Sequence, residues 1–195
     1  MIELPLPGEL GGISLARAIR QRRSVRDYGE RDLTWSDIGQ LVWAAQGVTN
    51  DAGLRTAPSA GGIYPLELDA VTRNGVFRYL PAKHALLHRT SADVRAKLAR
   101  AAYGQSWLAN ASCVFSIAAV TERTARRYGT RAERYVQLEA GHVTQNVLLM
   151  AAGLGLGGTP VGAFNDDAVA RTLGLDTGEI PLYLVPVGLP SKPMP

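Results

Sequence analysis

The sequence predicts an α+β domain built on a mixed or antiparallel central sheet flanked by helices. Three observations predict it. Helix-period segments open the chain without any regular βαβ alternation. Two alternating segments, residues 66–71 and 76–80, face one another across Arg73-Asn74-Gly75 as a hairpin. A strongly apolar run, residues 112–120, stands directly before the longest helical pattern, which reaches from about Arg123 to Ala152.

Each element has a local cause. Ser14 caps a helix running to about Arg22, with Leu15, Ala18 and Ile19 on one face. Thr34-Trp35-Ser36-Asp37 opens a second helix, where Ile38, Leu41, Val42 and Ala45 recur at helical spacing until Gly47 stops it. Residues 50–62, rich in Gly, Ala and Ser, read as irregular. Residues 84–88 extend the hairpin into a meander, and Ser91 caps a third helix reaching Tyr103. The long helix carries a break near Gly129. Its residues Val136, Ala140, Val143, Val147, Met150 and Leu154 step by three or four, and further apolar faces late in the helix predict burial on more than one side, as for a helix shared between subunits. A glycine turn leads to a short strand near Pro160. Asp166 or Asp167 caps a last helix that ends at Leu173-Gly174, and residues 180–187 form a terminal strand.

Composition narrows the function classes. With 195 residues, 46% hydrophobic and 19% charged, the chain suits a single domain over residues 1–195 with a real core. Met1-Ile2-Glu3-Leu4-Pro5 lacks the basic and apolar regions of a signal peptide. Residues 147–164 carry no charge, but their glycines and Pro160 favour a buried helix, turn and strand over a membrane span. Cys113 is the single cysteine, which excludes an internal disulfide and a multi-cysteine metal site. It reads as a small buried hydrophobe in a reducing, cytoplasmic protein. A formal charge of +4 is ordinary surface and gives no argument for a nucleic-acid partner.

Three motifs carry chemistry. Arg22-Arg23-Ser24-Val25-Arg26-Asp27-Tyr28 crowds guanidinium forks and a hydroxyl into five positions, the donor set a phosphate monoester requires; the alternative is a solvated basic helix end. Pro58-Ser59-Ala60-Gly61-Gly62-Ile63-Tyr64-Pro65 lets backbone approach a ligand, or is an ordinary loop entering a strand. Glu139-Ala140-Gly141-His142-Val143-Thr144-Gln145-Asn146 sets polar side chains in an apolar helix. There His142 reads as a buried histidine in a satisfied network rather than a metal ligand, and His84 with His88 is not a metal pair either. No Ser-His-Asp group or carboxylate pair stands out, so the pattern suits an enzyme whose cofactor does the chemistry.

In these three motifs, taken in order, the chain resembles the nitroreductase family, and within it the SagB-type branch that includes flavin oxidases of thiazole- and oxazole-containing peptide biosynthesis. The resemblance runs from Arg22 to about Gly188. It implies the nitroreductase-like fold, a homodimer with the long helix at the interface, and FMN bound where the subunits meet. It implies that Arg22, Arg23, Ser24 and Arg26 bind FMN, that Pro58, Ser59, Ala60 and Gly62 cover it from the other subunit, that Gln145 on the interface helix also binds it, and that Pro160, Val161, Gly162 and Ala163 present backbone to the flavin edge. Lys192 is the late basic candidate for the phosphate.

One departure bears on the reaction. Azoline oxidases of this branch carry a Lys-Tyr pair before the central helix, and here Arg127-Tyr128 stands instead. Arginine is a poor general base, which leaves Tyr128 as the only matching catalytic candidate. The resemblance therefore implies an FMN-dependent oxidoreductase that takes hydride from NADH or NADPH and, in ping-pong order, reduces a small conjugated acceptor such as a quinone or nitroaromatic. The alternatives are an azoline dehydrogenase acting on a modified peptide and a non-catalytic polyanion- or nucleic-acid-binding module.

Overall fold

Local capping chemistry sets the helix boundaries. The computed structural model describes residues 1–8 and 12–192. Helix α1 (Leu15–Gln21) begins where Ser14 Oγ accepts the Arg17 N–H. Helix α2 (Trp35–Gln46) begins at a reciprocal capping box between Thr34 and Asp37 and ends at Gly47. The next two helices depart from the sequence expectations. Helix α3 (Arg95–Ala101) is not capped by Ser91, whose hydroxyl pairs with His88; Asp93 accepts the Arg95 N–H and clamps the Arg95 guanidinium with both oxygens. A short helix α4 (Trp107–Asn110) follows that the sequence reading did not foresee.

Helix α5 (Thr121–Tyr128) and the long α6 (Ala132–Gly153) are separated by a 3-10 turn at Gly129–Arg131, the break expected near Gly129. Helix α7 (Asp166–Leu173) is capped by Asn165, whose side chain accepts the Ala168 N–H, and not by either aspartate. Asp166 and Asp167 fall in the first turn, where their charge complements the helix dipole.

The sheet contains β1 (Ile2–Glu3), β2 (Leu66–Thr72), β3 (Gly75–Leu80), β4 (Ala85–Thr90), β5 (Cys113–Ala119), β6 (Gly157–Gly158) and β7 (Ile180–Gly188), in the order β1-β4-β3-β2-β5-β7-β6. Every strand pair described is antiparallel, so the antiparallel member of the predicted alternatives is the one formed; a parallel contact occurs as an isolated bridge between Ser24 and Gly158. The short strand expected near Pro160 lies slightly earlier, at Gly157–Gly158, while Val161 forms an isolated bridge to Leu184.

Strand periodicity builds three layers. Along β5, Cys113, Phe115 and Ile117 face a core shared with α2 and α6, and Val114 faces the opposite core with Leu98, Leu108, Phe164, Val169 and Leu173 from the α3, α4 and α7 side. Cys113 is fully buried and burial pushes its thiol up, which makes it the packed hydrophobe expected. Arg78, 6% exposed, lies among Asp69, Glu179 and Glu67 and donates to all three carboxylates.

One predicted face is not a core face. Of Leu15, Ala18 and Ile19, only Ala18 is buried; Leu15 is 67% and Ile19 57% exposed. Leu15 and Ala18 border an open groove of about 630 Å³ with Ile13, Trp43 of α2, Leu149 of α6 and Leu154 just after it. No helix among the described residues is long and apolar enough to cross a membrane.

Candidate functional site

The arginine motif leaves α1 and lies down beside the glycine-rich turn that follows α6. The Arg22 N–H closes α1 on Ala18 O. Ser24 then bridges to Gly158, and the Val25 N–H donates to Gly158 O at 3.2 Å. Thr159 Oγ1 and Tyr28 OH both donate to Val25 O, each at 2.7 Å. The arginine motif is thus paired with Gly158 and Thr159, which immediately precede the segment 160–163 expected at the same site.

The side chains of the motif divide into two kinds. Arg23 folds back to donate to Arg20 O at 3.0 Å and Arg22 O at 2.8 Å, the helix-end role that chemistry favours for a cation there. Among the described residues, the Arg22 and Arg26 guanidinium groups and the Ser24 hydroxyl have no hydrogen-bond or ion-pair partner. Arg26 stands over the Trp107 ring, 5.5 Å from its centroid.

The segment 160–163 is ordered from two sides. Val161 is buried, and its N–H and C=O both pair with Leu184, so its amide has no capacity for a ligand. The Gly162 and Ala163 N–H groups have no partner among the described residues. Gln105 Nε2 donates to Ala163 O at 3.2 Å, Tyr103 OH to Phe164 O at 3.3 Å, and the Asn165 N–H to Ala101 O at 2.9 Å. The turn between α3 and α4 therefore pins this segment and also places Trp107 beneath Arg26. Sequence reasoning missed Gln105 and Trp107, because a four-residue helix is too short to show a period; the one available signal was a tryptophan in an otherwise polar stretch after the third helix.

The C-terminal strand extends the same neighbourhood. Gly29 N–H donates to Leu189 O at 2.8 Å, and Ser191 binds Asp27 through both its N–H and its hydroxyl. Lys192, which follows, lines a groove with Gln21 at the end of α1.

The second loop is held elsewhere. Ser59 precedes the 3-10 turn Ala60–Gly62 and donates to Glu139 Oε2 at 2.5 Å while accepting the Tyr64 N–H at 2.9 Å. Arg55 donates through Nη1 to Gln46 Oε1 at 2.7 Å and through its N–H to Tyr64 OH at 3.0 Å, and stacks over the Tyr64 ring. Glu139 is buried on α6, and burial raises its carboxyl pKa against the opposing Ser59 hydrogen bond. Pro58 and Gly62 are exposed.

Gly61, at φ 65°, touches the tips of Arg127 and Tyr128: a β-carbon there would lie 2.8 Å from Arg127 Nη1 and from Tyr128 OH. Tyr128 also meets Tyr135 edge-on. Its candidate catalytic hydroxyl is thus carried to the second loop.

The polar residues of α6 separate by face. Glu139 and Thr144 are buried, Asn146 donates to Thr56 O at 3.4 Å, and Gln145 is exposed. His142 is exposed too, a correction to the expected buried histidine: it lies on the opposite side of the helix from Val136, Ala140 and Val143. His84 is occupied by Tyr79 OH and Pro5 O, and no cluster of three metal-ligating side chains occurs among the described residues. Among the described residues, the hydrogen bonds of residues 58–65 run to Glu139, Arg55, Val120 and within the loop, and none runs to residues 22–26. One chain thus presents two distinct sets of candidate residues.

Comparison with known proteins identifies the family and the fold. The model of the Nitroreductase family matches residues 19–189. A protein of Methanocaldococcus jannaschii described as a nitroreductase is 43% identical over 193 residues, covering 96% of each chain. Microcin B17-processing protein McbC of Escherichia coli is 28% identical over 133 residues, which span 63% of this chain and 49% of McbC. Among solved structures, a nitroreductase-like protein of Ralstonia eutropha superposes with a TM-score of 0.89 at 27% identity, covering 98% of this chain and 90% of that one. The NADPH:FMN oxidoreductase of Vibrio harveyi, solved with NAD+, has a TM-score of 0.70 at 20% identity over 92% of this chain and 70% of its own, a likeness of fold.

Proposed function

The chain belongs to the nitroreductase family and is an oxidoreductase, and from that premise we propose that it is an FMN-dependent homodimer of the SagB-type branch. In this reading NADH or NADPH supplies the electrons, and a small conjugated molecule such as a quinone or nitroaromatic receives them. The reading also sets the enzyme in the cytoplasm, in keeping with its single buried thiol.

One observation carries the cofactor assignment. Arg22, Ser24 and Arg26 offer two guanidinium groups and a hydroxyl with no other described partner, beside a segment whose Gly162 and Ala163 N–H groups are likewise uncommitted. That donor set fits FMN: Arg22, Ser24 and Arg26, with Arg23 and Lys192 beside them, would hold the phosphate, and the two amides would bind the flavin edge as preorganised dipoles. When bound, FMN supplies the redox chemistry, accepting a hydride and passing on the electrons. The chain's own contribution is to bind, orient and exclude water. Val161 contributes by fixing the segment against Leu184, and Pro160 by adding no competing N–H.

The second set, Pro58, Ser59, Ala60 and Gly62 with Gln145, would close the site from the partner subunit. The exposed apolar side chains Leu15, Ile19 and Leu138 and the open groove between α1, α2 and α6 favour an apolar contact between copies. Family membership displaces the non-catalytic polyanion-binding alternative.

A second reading, azoline dehydrogenation on a modified peptide, is favoured by the likeness to McbC and by Tyr128 lying against the second loop. The test for both is anaerobic addition of NADH or NADPH to purified protein. A flavin spectrum that bleaches supports the reductase. A flavin spectrum bleached by a thiazoline peptide and not by NAD(P)H favours the second reading. Protein that takes up no FMN refutes both.

A further inference from the structure

Glu139 is 3% exposed, and of its two carboxylate oxygens only Oε2 has a described partner, the Ser59 hydroxyl at 2.5 Å. The Gln46 amide faces the same carboxyl and helps to hold its pKa down, although Gln46 Nε2 and Glu139 Oε1 fall short of a full hydrogen bond. A leucine would pack into such a place at lower cost than a carboxyl group whose hydrogen-bonding capacity is half used. What the carboxylate adds is a fixed point. Ser59 Oγ accepts the Tyr64 N–H while donating to Glu139, so a single hydroxyl joins the start of the loop to its end, and a single carboxylate joins both to α6. Short hydrogen bonds to a charged acceptor are the stronger kind. The loop so held lies with Gly61 beside the tips of Arg127 and Tyr128, so its placement decides what the Tyr128 hydroxyl faces.

We infer that Glu139 is a positioning residue: through Ser59 it sets the conformation in which residues 58–62 cover the flavin and meet Tyr128, an inference that rests on the FMN reading above. Glu139 touches neither cofactor nor substrate in this scheme, and its effect passes through one hydroxyl.

The test is a double-mutant cycle on the whole protein, using Glu139→Leu, Ser59→Ala and the pair, with Glu139→Gln as the conservative variant. FMN affinity is read by fluorescence titration, and hydrogen exchange of the Tyr64 amide is read on protein without FMN. Each single variant is expected to weaken FMN by about tenfold, the worth of one strong hydrogen bond. The pair is expected to be no worse than either single variant, because both act through one contact. Glu139→Gln, which keeps an acceptor oxygen, is expected to recover most of the loss, and Tyr64 exchange should quicken in Glu139→Leu. Should Glu139→Leu fail to fold, Glu139→Ala takes its place in the cycle, and wild-type FMN affinity in that variant would overturn the inference. Additive losses, or unchanged FMN affinity in variants of a protein that binds FMN, would overturn this inference alone. Wild-type protein that binds no FMN would overturn it together with the cofactor reading.

Discussion

A β-carbon on Gly157 would stand 2.4 Å from Val25 Cγ2, so the turn after α6 and the strap after α1 meet with no space for a side chain between them. This contact makes the Ser24–Gly158 bridge possible and carries the strap of residues 22–26 alongside Gly158 and Thr159, just before Gly162 and Ala163. Gly157→Ala must therefore push the strap away. The expected cost is about 1–3 kcal/mol, the usual range for overpacking a tight contact. FMN affinity should fall with it, because the donors of residues 22–26 move relative to the amides of 162–163. Thermal unfolding and flavin titration on the same preparation check both halves. A destabilised variant with unchanged FMN affinity would show that the two segments need not keep this spacing.

Among the described residues Arg22 and Arg26 have no polar partner to lose, so removing them should leave the fold almost intact. Arg22→Ala with Arg26→Ala is expected to abolish copurifying flavin while far-ultraviolet circular dichroism and oligomeric state stay as in the wild type. The stability change should stay near the ~0.5 kcal/mol typical of surface substitutions, plus about 0.5–1 kcal/mol for the Arg26–Trp107 contact. Arg23→Ala should cost less flavin, since its guanidinium already serves the carbonyls of Arg20 and Arg22. Full retention of FMN in the double variant would refute the phosphate-site assignment.

Arg78 makes the contrasting case. Its guanidinium neutralises Asp69, 1% exposed, and Glu179 by paired hydrogen bonds at 2.7–2.9 Å. Arg78→Met leaves those carboxylates buried without a cation and should cost about 3–5 kcal/mol. Urea unfolding measures it. Folded variant should still bind FMN with wild-type affinity, because no residue of either candidate set touches Arg78. A small loss of stability would mean that Arg123, which pairs with Glu67 at 2.6 Å, shifts to compensate.

Legibility in the sequence followed the range of the interaction. The Thr34–Asp37 capping box, the Gly47 stop, the turn at Arg73-Asn74 and the break near Gly129 depend on residues a few positions apart, and each was readable. Antiparallel pairing of β5 with β2 and β7 was not assigned strand by strand, since alternation names a strand but not its neighbours. Helix α4 was invisible because one turn has no period. Capping by Asn165 rather than Asp166 turned on a shift of one residue, where three acceptable caps stand in a row. In the candidate site the arginine motif was plain from composition. The Ser59–Glu139 bond, 80 positions apart, was not, because nothing in either local segment specifies its partner. His142 was misplaced for a related reason: a polar residue in an apolar helix looks buried until the neighbouring elements show which face they cover.

The raised pKa of Glu139 yields a signed pH dependence. Burial lifts its carboxyl above the ordinary 4.5, and the hydrogen bond from Ser59, the Gln46 amide and the Arg55 charge oppose this only in part. Between 4.5 and the raised value the folded protein holds a proton that the unfolded chain has released, so stability falls as pH rises through that window. Glu139→Gln has no proton to lose there. The stability of the variant relative to the wild type should therefore be flat below the window, rise through it and level off above it. Asp69, also raised by burial, contributes equally to both proteins and drops out of the difference. Urea unfolding of the pair from about pH 4 to about pH 8 traces the difference across the carboxylate range. A difference that falls with rising pH would mean that the folded state stabilises the ionised carboxylate, and that the buried Oε1 has a donor in solution.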